Sequence, residues 1–433
     1  MGFLFFLLDE IFKLNLKFLP KTSNLLISLD FIMDRNLDTF DVCIIGGSIA
    51  GNYLCYLLSK TNLKILVIEE HEKIGLPLQC AGIISQKLKK IIDLPSKIIL
   101  NRVKIAKIVA PSGKFIKISG DERPYIIDRI ALDCLFFEKV KDNKNIQYSL
   151  GEKFKSFKYI KSNHQKFIFI ETSMRIIKSR MLIGCDGPLS SVAKTLGIHN
   201  RNLYAVQIRI KHQFNENEAL MFFNQRWKEL FGWIVPEGNF IYRIGMACSK
   251  NLAKNFRVFL NSLNIKKGSK IDQQGGLIPY GLMNNLAFEN VLLLGDSACQ
   301  VKATTGGGII MLLTAAKYAA NCVKKCFKHN KFSRSIIKKY YETPCKSTIG
   351  KELKIHYLIR ILLEKFTDND FEKILQIIKT SKIENLISLY GDMDFPKSLI
   401  FKLIKNPLVI PFLVKFTLKN PIIFIQLLKI LTK

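Results

Sequence analysis

The chain has 433 residues, room for two or three domains with sizeable cores, which excludes a disulfide miniprotein or a fibrous repeat. With 48% hydrophobic and 23% charged residues it is neither wholly disordered nor a multi-span membrane protein. Against 35 acids stand 66 lysines and arginines, a net charge of +31, which calls for an anionic partner: nucleic acid, anionic lipid or a phosphorylated substrate.

The N-terminal extension, residues 1–37, starts apolar, but Asp9 and Glu10 follow with no basic stretch before them, so it makes a poor secretory signal. Two readings stand for it: translation that begins at Met33, or a helix lying on a membrane surface. The ten cysteines form no C-x-x-C pair and no Cys/His cluster of zinc-ligand spacing. Neither a metal site nor disulfides are expected, and the scattered thiols point to a reducing cytoplasm.

The strongest local signal follows at once. Asp41–Ile45 is a short apolar run, Gly46, Gly47, Ser48, Ile49, Ala50 and Gly51 form a small-residue turn, Asn52–Leu58 has helical spacing, and Lys64–Glu69 is a second strand. That is one βαβ unit with glycine fingerprint spacing, serine standing at its middle position. Such a turn offers backbone N–H groups at a helix N-terminus to a pyrophosphate. Glu69, 18 residues past Gly51, is placed to accept from ribose hydroxyls.

Strand-like runs at Phe167–Glu171 and Met181–Cys185 lead into a second turn at Asp186 and Gly187. A β-rich stretch then covers 199–275. Val291–Leu294 reads as a buried strand ending at Gly295 and Asp296, and Gly306, Gly307 and Gly308 open a long apolar helix from Ile309. From 331 the pattern is helical and lysine-rich. Phe395 to Lys433 carries seven lysines and no acid, and its longest uncharged stretches are nine residues. These are half the ~18 needed to span a bilayer, but they suit helices in the headgroup zone.

The first turn together with the 295–309 segment resembles the flavoprotein fold of the aromatic hydroxylases, and within it the geranylgeranyl reductase family. Three elements narrow the resemblance: Pro77–Gly82 is similar to the family's P-x-x-C-x-G motif, Arg129 with Asp133 to its arginine segment, and Phe231–Pro236 to its Y-x-W-x-F-P motif. The implied fold class is α/β: a GR2-type FAD-binding Rossmann-like domain with an inserted antiparallel β substrate domain and a helical C-terminal region. The FAD domain would take 38–198 and 276–330, the substrate domain 199–275 and the basic helical region 331–433.

The resemblance implies FAD as cofactor, contacted by Gly46, Gly47, Ser48, Ala50, Gly51, Glu69, Cys80, Ala81, Gly82, Arg129, Asp186, Gly187, Asp296, Gly306, Gly307, Gly308 and Ile309. It implies Cys80 as the catalytic residue, shielding the flavin or handling a proton, and Phe231, Trp233 and Pro236 as substrate-binding. The implied reaction is reduction of isolated C=C bonds in geranylgeranyl chains of archaeal-type ether lipids or related prenyl compounds. Partners would be the prenylated lipid, an anionic membrane surface holding the protein peripherally on the inner face of the cell membrane, and a ferredoxin, a deazaflavin or NADPH as electron donor. A flavin monooxygenase acting on an aromatic or quinone shares the fold and is the alternative.

No specific nucleic-acid module is present, since basic and aromatic residues are spread rather than focused. The six histidines lie outside these motifs and receive no catalytic role. Lys302, inside the third motif, reads either as a neighbour of flavin or phosphate or as a solvated loop residue.

Overall fold

An apolar run with no polar face demands cover on both sides, and Val42–Ile45, at the end of β1 (Asp38–Ile45), are at most 4% exposed. The computed structural model describes residues 37–421 apart from 163–164, 264, 266–268 and 382; the two readings of the N-terminal extension concern residues outside that range. After β1 come α1 (Ile49–Leu58) and β2 (Ile65–Glu69), which pairs with β1 in parallel. Next are β3 (Ile83–Ile84), β4 (Ile99–Arg102), the hairpin β5 (Ile105–Val109) and β6 (Phe115–Ile118), and β7 (Tyr125–Ile127). Then follow α2 (Arg129–Glu138), β8 (Ile146–Leu150), β9 (Phe154–Ser162), β10 (Gln165–Thr172), β11 (Ile176–Gly184) and α3 (Ser191–Thr195).

The first sheet runs β8-β2-β1-β11-β10-β9, with β17 (Val291–Leu293) joined in parallel to the end of β11. Strands β8, β2, β1 and β11 are mutually parallel, as a Rossmann-like core requires. After β17, α5 (Ile309–His329) packs into the same core as α1. Its Ala315, Ala316, Ala319 and Ala320 are buried, and their small side chains let the helix approach closely. Asn330, left-handed at φ 51°, ends it, with Lys328 and His329 in the last turn where cations suit the helix dipole.

The second sheet holds β12 (Arg201–Lys211), β13 (Glu218–Phe222), β14 (Gly232–Gly238), β15 (Ile241–Cys248) and β16 (Lys270–Tyr280), in the order β16-β12-β15-β14-β13-β5-β6. Strand alternation sorts its faces: Ile234 packs toward α4 (Leu252–Ser262) with Phe256 and Phe259, whereas Trp233 and Val235 point the other way. This sheet is larger than the expected 199–275 unit. It recruits β5 and β6 from residues 105–118 through a parallel β13–β5 pair, a long-range pairing that no local pattern announces.

Among the described residues, the helices past residue 348 are α6 (Ile349–Leu363), α7 (Asp368–Thr380), α8 (Ile383–Tyr390), α9 (Lys397–Ile404) and α10 (Ile410–Lys419). Thr367 and Asp370 start α7 with a reciprocal capping box. α7 and α8 cover the outer strand β6: Leu375 joins Ile116 and Ala110, and Ser119 N–H donates to Ser388 Oγ at 3.2 Å. An unpaired strand edge is thereby shielded.

Arg360 of α6 ties the C-terminal region to the body. Fully buried, its guanidinium donates to the carbonyls of Ala303 (2.8 Å), Thr304 (3.0 Å) and Lys228 (2.8 Å). Burial lowers its pKa to about 10, still charged at neutral pH. Arg360→Met strands three carbonyls without donors and is expected to cost about 3 kcal/mol or more in urea unfolding. A loss below about 1 kcal/mol contradicts the clamp.

Candidate active site

β1 delivers the chain to Gly46 at φ +104°, where a Cβ would stand 2.3 Å from the Cys185 carbonyl oxygen. A Cβ on Gly51 would stand 2.0 Å from the Gly46 carbonyl oxygen, so the turn tolerates only glycine at both positions. Ser48 sits at the N-cap of α1 without capping it; its hydroxyl lies 3.2 Å from Asp133 Oδ2. With no acid in the first turn either, the opening N–H groups of α1 lack side-chain acceptors, the condition under which a helix start takes an anion. At the end of β2, Glu69 accepts from the Gly47 N–H at 2.7 Å and the His71 N–H at 3.0 Å.

Three distant stretches close on this turn. A Cβ on Gly295 would lie 3.2 Å from the Ala50 Cβ, and one on Gly308 would lie 3.4 Å from Asp296 Oδ1. Gly308 precedes α5 without a side-chain cap, leaving Ile309 as the first residue of a second bare helix start. Arg129 opens α2 and donates to Asp133 Oδ1 at 2.9 Å, with Cys80 close enough to act on its charge. Burial opposes its charge, but Asp133 and then Cys80 outweigh burial and hold its proton more tightly than usual. Its Nε is buried with no partner among the described residues. Burial pushes the Asp296 carboxyl up to about 6, with Arg129 pulling the other way. Bare helix starts, an orphaned guanidinium nitrogen and glycines that admit close approach form the donor set a dinucleotide needs, so these residues fit FAD.

The Cys80 element is fixed from the second sheet. Its carbonyl oxygen accepts from Gln274 Nε2 at 3.2 Å and Gln207 Nε2 at 3.5 Å, while Gln207 Oε1 accepts from Trp233 Nε1 at 2.8 Å. Arg243 Nη1 donates to the Ala81 carbonyl at 2.9 Å and lies where a Cβ on Gly82 would come within 2.0 Å. The Gly82 N–H donates to Cys80 Sγ at 3.3 Å. Trp233 in turn lies across Gly245, where a Cβ would meet its ring at 2.5 Å.

From Cys80 a cavity of about 560 Å³ opens along the second sheet. Its floor takes residues from β16, β12, β14, β13, β5 and β6, with Phe231 and Trp233 among them, and one side is the loop Thr304–Gly307. Six inter-strand steps of about 4.8 Å make that floor about 29 Å across. Ile387, Met393, Leu399 and Ile400, from α8, α9 and the loop between, form the wall opposite.

Not every expected contact is present. Pro236 does not line the cavity; strand alternation sends 233 and 235 to that face and 236 to the other, so Val235 takes its place. Asp186 is engaged in starting α3, accepting from Ser190 Oγ at 2.6 Å and the Val192 N–H at 3.0 Å. Gly187 follows in open space at φ +74°. Lys302 is not a solvated loop residue: it is buried and paired with Asp394 at 2.5 Å.

Sequence reasoning missed Gln207, Gln274, Arg243, His356 and the C-terminal wall. Gln207 and Arg243 interrupt largely apolar strands, a weak signal of internal hydrogen bonding, whereas Gln274 and His356 lie among other polar residues and give none. His356 lines the cavity, 2.5 Å from Thr304 Oγ1 through Nδ1 and 3.2 Å from the Asp394 carbonyl through Nε2. A carbonyl only accepts, so Nε2 carries the proton and Nδ1 accepts from Thr304. Burial lowers its pKa to about 4, with Lys302 adding to the effect and the Asp394 carbonyl opposing it. Between pH 6.5 and 4 the unfolded chain binds this proton and the folded one does not, so stability falls on acidification. His356→Gln is expected to remove about 3 kcal/mol of that acid-side loss, read from unfolding at pH 7 and 4.5. An unchanged pH dependence contradicts the buried neutral imidazole.

Comparison with known proteins bears on the same elements. A family model described as an NAD(P)-binding Rossmann-like domain matches residues 44–95. An uncharacterized protein of Methanocaldococcus jannaschii is 29% identical over 395 residues, 86% of this chain and 96% of its own. Digeranylgeranylglycerophospholipid reductase 1 of Methanococcoides burtonii is 26% identical over 391 residues, 83% of this chain and 90% of its own. Among solved structures, a geranylgeranyl bacteriochlorophyll reductase-like protein from Thermoplasma acidophilum superposes with a TM-score of 0.75 at 21% identity, over 88% of this chain and all of that one. A probable FAD-dependent monooxygenase from Pseudomonas aeruginosa superposes less well, TM-score 0.61 at 14% identity, over 78% of this chain and all of that one. By sequence the chain is thus similar, at 24–26% identity over about four fifths of its length, to digeranylgeranylglycerophospholipid reductases, and its fold is that of a geranylgeranyl reductase-like structure.

Proposed function

We propose that this protein is an FAD-dependent reductase of isolated C=C bonds in the geranylgeranyl chains of membrane ether lipids or related prenyl compounds. One observation carries the reading: the dinucleotide-type turns meet an apolar cavity that runs the width of a seven-stranded sheet. That span suits a long chain better than the compact aromatic of a hydroxylase. A ferredoxin, a deazaflavin or NADPH would supply the electrons.

When bound, the flavin supplies a hydride to one alkene carbon, and the other carbon needs a proton. The rest is the work of the chain. The starts of α1 and α5 and Arg129 would hold anionic groups of the cofactor, and Glu69 would accept from its ribose hydroxyls. Phe231 and Trp233 exclude water and align the alkene, where orientation supplies much of the rate for so poor an acceptor. Cys80, whose sulfur accepts from the Gly82 N–H, would handle the proton.

Dithionite-reduced protein given unsaturated archaeal-type ether lipids is expected to yield lipids heavier by pairs of hydrogens. Cys80→Ala is expected to keep its flavin and slow this about a hundredfold. Oxygenated products, or no mass gain, contradict the reading.

Attachment to an anionic membrane completes it. No helix among the described residues is long and apolar enough to cross a membrane. The outer surface of the C-terminal helices combines exposed Leu408, Val414 and Leu418 with exposed Lys405, Lys415 and Lys419. Lysines near an anionic surface contribute about 1 kcal/mol each. Changing all three to glutamate is expected to release the protein from anionic vesicles in a flotation assay; unchanged flotation assigns the contact elsewhere.

A further inference from the structure

The wall opposite the sheet is tied to the cofactor-side loop by a single buried ion pair. Lys302 Nζ lies 2.5 Å from Asp394 Oδ1 and 3.0 Å from the Met393 carbonyl, and the two residues are 4% and 1% exposed. On one side, Lys302 is built into the glycine loop. Its carbonyl accepts from the Gly306 N–H at 2.8 Å, its N–H donates to the Gly307 carbonyl at 3.1 Å, and a Cβ on Gly307 would lie 3.0 Å from its Cε. On the other, Asp394 sits in a tight turn in which Asp392 Oδ1 accepts from the N–H groups of Asp394 and Phe395, both at 2.9 Å. Gly307 and the wall residue Met393 therefore cannot shift independently.

A buried ion pair is a costly way to hold two segments together, because desolvation cancels most of the attraction. This one is also incompletely satisfied: Asp394 Oδ2 is buried with no partner among the described residues. Two apolar side chains would give more stability at that spot. What the pair adds is a fixed separation, since charge and hydrogen-bond geometry specify where the wall stands relative to the loop, whereas apolar contact tolerates sliding.

We propose that Lys302 and Asp394 are positioning residues that set the width of the cavity between the glycine loop and the Met393–Ile400 wall, and that Leu399 and Ile400 determine which apolar chain fits. The proposal rests on the prenyl-reductase reading and adds a selectivity device to it. A chain lying between loop and wall is gripped best while the pair keeps them in register; without it the His356 bridge from Thr304 to the Asp394 carbonyl is the tie that stays, the wall loosens and long chains lose their alignment.

The test uses full-length flavoprotein and titrates geranylgeraniol and the shorter geraniol by calorimetry. Backbone hydrogen exchange is measured alongside. Lys302→Met with Asp394→Leu replaces the pair by apolar volume, and is expected to fold and keep its flavin. Its geranylgeraniol affinity is expected to fall about tenfold, with exchange rising in residues 387–400 alone. Leu399→Trp, which narrows the cavity without touching the pair, is expected to shift preference toward geraniol. Unchanged affinity and exchange in the double variant overturn the positioning role, as does an exchange rise spread evenly over both sheets or a double variant that loses its fold. Unchanged preference in Leu399→Trp overturns the selectivity role. Wild-type protein that holds flavin yet binds neither alcohol overturns the reductase reading itself, and the proposal with it.

Discussion

The loop from Val301 to Gly308 is held by side chains it does not own. Arg360 donates to two of its carbonyls, and Thr304 bonds to His356. Lys302, its one buried cation, reaches out to Asp394. A glycine-rich segment has few contacts of its own and loses much entropy on ordering, so external anchors are what give it one conformation. All three partners come from residues beyond 350, and none belongs to the dinucleotide fold. The C-terminal region is thus part of the site's framework as well as a cover for the sheet edge.

That arrangement unites two physically different compartments. On one side, helix starts and the Arg129 guanidinium make a polar cradle; on the other, Trp233, Phe231 and the helices α8 and α9 make a largely apolar channel. The Cys80 element lies at the boundary, its sulfur accepting from the Gly82 N–H and its carbonyl held by Gln207 and Gln274. Gln207 also fixes Trp233, so one buried amide sets the spacing between the thiol and the aromatic wall. Chemistry between a charged cofactor and a lipid chain requires such a junction, because neither solvent tolerates the other's ligand.

Legibility in the sequence followed locality. The β1–α1–β2 unit, the Gly295–Ile309 segment and the Cys80 and Trp233 elements are contiguous patterns, and the structure gathers them at one place. Features built by distant pairing were not legible. The parallel β13–β5 contact joins residues more than 100 apart and carries no periodic signal, so 105–118 read as part of the first domain. Pro236 followed the motif, but a strand's two-residue period turns it from the cavity. Lys302 read equally as a neighbour of flavin or phosphate and as a solvated loop residue, because its counter-charge, Asp394, lies 92 positions away, and His356 looked idle because its partners are distant too. The basic C-terminal tail read as a membrane-surface contact or as a basic packing helix pair. Its inner residues wall the cavity, a division of labour visible only once the helices are wrapped against the sheet.

Holding an isoalloxazine ring where the polar cradle meets the apolar channel is the claim most directly open to measurement. The visible spectrum of the purified protein, recorded with and without geranylgeraniol, addresses both halves at once. The account expects a yellow protein carrying equimolar FAD, whose absorption band shifts when the prenyl alcohol enters beside the ring. Folded protein that is colourless and takes up no FAD, or a flavin band indifferent to the alcohol, contradicts it.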